Sequence, residues 1–191
     1  MRCWLLTIAS LPFAACGGNV RETSSTSNQE VKVRLLSETA AGMDHLYSAY
    51  LSIKNTLVES DAVAADTDAL NMLQVVDSLS NDRMFQSADS TMPIASLEPL
   101  IQSFLKAKTL SEKRRSFQSI GMSLQRLLSH PGSASRPVYI QTCPMAFDDT
   151  EAASWLSDSR EIVNPYLGKN HPKYASGMLH CGELTDSLGF R

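Results

Sequence analysis

Several familiar signatures are missing from this chain of 191 residues. No GxSxG elbow, Walker loop or HExxH pair occurs, and no glycine fingerprint follows a strand-like run. The common hydrolase, nucleotide-binding and zinc-protease chemistries are thereby without a foothold. Acidic residues are scattered along helix faces rather than paired in the tail, so general acid–base catalysis has no couple to work with. The chain reads as non-catalytic. A basic surplus is also lacking. Seventeen Lys and Arg against 20 Asp and Glu give a formal charge of -3, which excludes the electrostatic footprint of a nucleic-acid partner. The single cationic run, Lys113, Arg114 and Arg115, reads as a solvated helix face. Cysteine is scarce, with four in the chain, and none forms a compact CxxC pair. No run reaches the roughly 20 apolar residues that span a bilayer.

What is present begins with a targeting segment. Met1 and Arg2 supply a positive start, and residues 3–15 are a short apolar stretch. Leu11, Pro12, Phe13, Ala14 and Ala15 before Cys16 resemble the cleavage box of bacterial lipoproteins, in which the cysteine is lipidated and becomes N-terminal. The expectation is a signal peptide over 1–15, a lipidated Cys16 and a polar tether to residue 30, too poor in apolar side chains to order itself. Each buried methylene of an anchor contributes about 0.8 kcal/mol. By the sorting habits of the lipoproteins it resembles, Gly17 after Cys16 implies the outer membrane, and the lipoprotein likeness implies a protein facing the periplasm.

Residues 31–191 are expected to form one domain, since the chain is long enough for one core of ordinary size. Met43, Leu46, Tyr47, Tyr50, Leu51, Leu57 and Val58 fall on one stripe at helical spacing, interrupted by Lys54. Asp61 is placed to cap a second helix with an alanine-rich face: Ala62, Ala65, Ala69, Leu70, Leu73, Val76 and Leu79. Pro93 opens a third, whose stripe is Leu97, Leu100, Ile101, Phe104 and Leu105. Thr109 with Glu112 makes a capping box for a fourth, with Phe117, Ile120, Leu124, Leu127 and Leu128 inward. The fold class expected is mainly α, an antiparallel bundle of about four helices. From about 137 to 191 a loop-rich cap follows, with short strands signalled by Val138, Tyr139 and Ile140. Trp155 and Tyr166 read as the anchors by which it buries area.

Candidate chemistry sits in that cap. Residues two apart on an extended chain share a face, so Cys143 and Met145 can converge. Residues three apart on a tight turn also share a side, so Met178 and Cys181 can face them, with His180 or His171 competing. Two sulfur pairs suit Cu(I), whereas Zn(II) prefers two thiolates with imidazole. The plainer reading is a Cys143–Cys181 disulfide pinning the tail to the bundle, with the methionines as gap-fillers; spacing alone favours it. His45, beside the first stripe, reads as a boundary histidine or a further ligand.

Cys143, Pro144, Met145 and Ala146, then Trp155, the Asn164, Pro165, Tyr166 and Gly168 step, Met178, and Cys181 with Gly182 form the pattern CPMA, W, NPYxG, M, CG. The tail thereby resembles an uncharacterised bacterial envelope family, a domain of unknown function; Tyr50 to Val58 and the Arg115, Ser116, Phe117 step resemble its helical half. Members occur as lipoproteins and as extensions of CusB-like heavy-metal efflux adaptors. The resemblance implies a periplasmic, copper-type binding accessory role serving a separate efflux adaptor or transporter. It implies Cys143, Met145, Met178 and Cys181 as the metal site. Residues 169–177 stand here between the NPYxG glycine and Met178, and bring His171.

Overall fold

The computed structural model describes residues 23–83, 85 and 93–188. The signal-peptide and lipidation readings at 1–16 lie outside them. Two compact units divide the chain, Met1–Val33 and Arg34–Arg191, and the described residues of the first are helical. Residues 23–30, read above as tether, therefore carry helix. A helix already nucleated adds each further residue for one hydrogen bond, even without an apolar face.

Four helices and a three-stranded antiparallel sheet make up the described elements, a mainly α fold with a β-containing cap. Helix α1 spans Thr23–Glu59 and buries Met43, Leu46, Tyr47, Tyr50, Ile53, Lys54 and Leu57. It ends in a left-handed Ser60, φ 63°. Asp61 N donates to Thr56 O at 3.0 Å and Ser60 N to Leu57 O at 3.1 Å, the paired bonds of a Schellman stop. Asp61 then caps α2, Ala62–Ser80, by accepting from Val63 N at 3.1 Å and Ala64 N at 2.9 Å. The inward face of α2 is narrower than its periodicity suggests. Ala65, Ala69, Met72 and Val76 are buried, while Leu70 lies half exposed.

A 3-10 turn at Ile94–Leu97 runs into α3, Glu98–Lys106. The capping box forms as expected at the head of α4, Leu110–Leu128. Glu112 N donates to Thr109 Oγ1 at 3.2 Å, and Thr109 N donates to Glu112 Oε2 at 2.9 Å.

The sheet has the order β2-β1-β3, with β1 (Val138–Phe147) in the centre, β2 (Glu151–Ser157) on one side and β3 (Glu183–Leu188) on the other. Asp148 and Asp149 turn the β1–β2 hairpin with φ of 51° and 64°. Two successive left-handed residues match the strand twist, and aspartate tolerates them. Along β1 Tyr139 pairs with Ser157 and Cys143 with Ala153, and the register then shifts before Phe147.

One aromatic series joins helices to sheet. Tyr50 stacks on Phe117 at 4.6 Å, Phe117 lies 6.2 Å from Tyr166, and Tyr166 meets Phe147 at 5.2 Å and Trp155 at 6.0 Å edge-on. Tyr50 also accepts the Leu156 N–H at 3.2 Å, and a side chain at Gly121 would stand 2.9 Å from its hydroxyl. Trp155 and Tyr166 are buried, as anchors should be.

Candidate thiol site and the groups that build it

The run Lys113, Arg114, Arg115 corrects the solvated-face reading. Lys113 and Arg114 are buried, and only Arg115 reaches solvent, where it pairs with Asp148 and Glu151. Lys113 pairs with Asp66 at 2.5 Å. Among the described residues, Arg114 takes no carboxylate. Its Nε donates to Pro165 O at 2.9 Å, and its Nη2 to Leu57 O at 3.1 Å, Ser60 Oγ at 3.1 Å and Leu167 O at 3.3 Å. Burial pulls its pKa down to about 10, which leaves it charged at neutral pH.

The last carbonyls of a helix have no partner within it, and here the cap supplies them. Leu57 O takes Arg114, Val58 O takes Lys169 N at 2.7 Å, and Glu59 O takes Asn170 Nδ2 at 3.3 Å. Ser60 occupies a position where glycine is easier, but its hydroxyl accepts from both Arg114 and Asn170 N. Gly168, φ +62°, must be glycine for the same reason: a Cβ would strike Arg114 Nη2 and stand 2.9 Å from Leu57 O.

Arg114 thus fixes the loop holding Asn164, and Asn164 fixes the cysteine segment. Asn164 Oδ1 accepts from Tyr166 N at 2.8 Å and Leu167 N at 3.0 Å, which shapes the NPYxG turn. Asn164 N donates to Leu179 O at 2.8 Å, and Nδ2 donates to Cys181 O at 2.8 Å. Cys181 N in turn donates to Met178 O at 3.0 Å. Gly182 follows with φ +139°, where a Cβ would stand 2.9 Å from the Trp155 ring.

The outcome is a thiol pair. Cys143 Sγ and Cys181 Sγ lie 2.7 Å apart, the first buried and the second partly exposed, with both cysteines free. Burial, then the hydrogen bond and charge of Cys143, push the Cys181 thiol up to about 12. The pair lies within the cap, between β1 and the approach to β3. A bond there would fasten cap to cap, rather than tail to bundle as the spacing suggested. Met145 and Met178 are partly buried against the core, although the register shift after Cys143 interrupts the alternation on which convergence of Met145 with Cys143 rests.

The histidines go elsewhere. His45 is exposed on α1, and the His180 ring bonds Ile162 O through Nδ1 at 2.7 Å. His171 Nδ1 accepts from Lys173 N at 3.2 Å, with its ring stacked on Tyr174. Among the described residues, no three His, Cys, Asp or Glu side chains come together in a way that could hold a metal ion. No described helix is long and apolar enough to cross a membrane.

Fold and site together define a helical unit with a β cap that carries a paired-thiol centre. Residues 46–136 match a family described as a protein of unknown function, DUF3347. That stretch ends before Cys143, so the match covers helices and not the thiol pair. No curated protein and no solved structure matches the chain.

Sequence reasoning missed Arg114 and Lys113. A signal was present. Lys113 and Arg114 stand four and three residues ahead of Phe117, and seven ahead of Ile120 and Gly121, on the apolar stripe of α4 itself.

Proposed function

We propose that the protein is a lipid-tethered, non-catalytic accessory module of the bacterial envelope that captures a soft cation such as Cu(I) at Cys143 and Cys181. The supporting observation is the 2.7 Å meeting of two thiols remote in sequence, with Met145 and Met178 on the same two segments. Sulfur donors without a hard third ligand favour Cu(I) over Zn(II), which would call on His171, His180 or a carboxylate. Binding requires the sulfurs to move apart, because two thiolates sharing one metal at about 2.3 Å each stand further from one another. It also requires loss of the Cys181 proton, so affinity rises with pH. Service to a heavy-metal efflux adaptor and lipidation at Cys16 belong to the same proposal, supported by the family resemblance and the cleavage box.

The test is anaerobic titration of the reduced protein with Cu(I) against a chromophoric chelator. One equivalent is expected, lost in Cys143→Ser and Cys181→Ser and weakened when Met145 or Met178 becomes Leu. Unchanged stoichiometry in the two serine variants removes the proposed ligands.

A second reading has its own support in the short approach of the sulfurs, since a disulfide at about 2.05 Å needs only a small closure. The protein is then an interaction module stapled by Cys143–Cys181 and free of metal. Intact mass with thiol labelling of freshly isolated protein separates the two states.

A further inference from the structure

A cavity of about 240 Å³ opens between the first turn of α4, the β1–β2 turn and the 164–172 loop, lined by Ser111, Arg114, Arg115, Asp148, Tyr166 and His171 among others. Its charges are not paired one to one. Arg115 is met by Asp148 and Glu151, which also occupies the one carboxylate on the wall. Arg114, only 4% exposed, bonds neutral acceptors throughout, and its Nη1 meets no acceptor among the described residues. The negative end of α1 beside it amounts to roughly half an elementary charge, so a buried cation remains partly uncompensated. A buried charge of that kind is stabilised by a counter-ion.

Two further donors share the wall. Because His171 Nδ1 accepts the Lys173 N–H, the neutral ring carries its proton on Nε2, which leaves that nitrogen a donor. Arg114 and Lys173 oppose protonation of that ring and Asp149 favours it, after burial, which lowers its pKa most. Ser111 stands in the first turn of α4, where backbone N–H groups lack helical acceptors.

We propose that this cavity binds a small oxyanion, gripped by Arg114 and His171 and supported by the first turn of α4. No cysteine or methionine lines it, so it is separate from the thiol pair.

Titration of the full chain with inorganic phosphate, and separately with acetate, tests the idea by NMR. Saturable shifts are expected at the His171 ring and the Ser111 amide with at least one of the two anions. Response to phosphate alone marks a phosphate-type ligand, and response to both marks a general oxyanion seat. His171→Ala is expected to weaken binding about tenfold, the loss of one hydrogen bond to a charged group. It leaves the Arg114 anchors in place, so the fold persists. Absence of saturable shifts with either anion, or equal affinity in His171→Ala, overturns the proposal. Cys143→Ser leaves this titration unchanged, so failure of the copper reading and failure of this one are told apart.

Discussion

The helical half and the cap are held by different physics. In the helices, stripes of Leu, Ile, Met and Phe bury area, an attraction without direction that tolerates exchange of one apolar residue for another of like volume. In the cap, a few side chains bond specific backbone groups. Arg114 alone reaches three carbonyls on two segments, and Asn164 both shapes its own turn and holds the carbonyl of Cys181. Position matters more than volume there, so the cap is the part that a single atom can undo.

The sharpest way to break that contrast is Arg114→Met, which keeps length and removes the donors. Carbonyls of Pro165 and Leu167 then lose the Arg114 donor and Leu57 O keeps only Ser60 N, and a loss of about 3–5 kcal/mol is expected in urea unfolding. A loss under 1 kcal/mol would place Arg114 among the tolerant positions and erase the distinction. Gly182→Ala comes next, since the backbone at φ +139° and the Trp155 ring at 2.9 Å both resist a Cβ. About 1–3 kcal/mol is expected, together with a changed Trp fluorescence.

Lys54→Met, on the helical side, should act with the opposite sign. Lys54 is buried, with Asp158 4.0 Å away and half exposed. Burial holds its pKa below the ordinary lysine value, and Asp158 offsets this in part. Between that lowered value and the unfolded one of about 10.4, the unfolded chain binds a proton that the folded chain does not. Stability therefore rises with pH through that window and is diminished below it. Lys54→Met removes the alkaline rise and stabilises the protein at neutral pH by about 1 kcal/mol, measurable as melting temperatures across a pH series. A melting temperature lowered at neutral pH sinks this account.

How far the sequence carries the reader depends on the same division. Local signals were legible: the Thr109–Glu112 capping box, the Asp61 cap, the stripe of α1 and the β run at Val138 all stand where their chemistry put them. The thiol pair was legible as a possibility, because four sulfur-bearing residues crowd two short segments. What brings the sulfurs together was not. The bonds from Arg114 to Leu57 and Pro165 join positions 57 and 51 apart in sequence, and no local rule encodes such partners. Lys113 and Arg114 were misread because charge was weighed before periodicity. Leu70 was misplaced in the other direction, as an apolar residue beside a face too narrow to admit it.

The order of strands carries one more consequence. Since β3 lies beside central β1 with Cys181 just ahead of it, Cys143 and Cys181 are neighbours only in the arrangement in which residues 158–182 cross the cap and Asn164 holds the Cys181 carbonyl. Sulfur proximity is thus a record of finished assembly: a chain whose loop has not seated keeps its two thiols apart, and reagents that sense their neighbourhood read out completion of the fold.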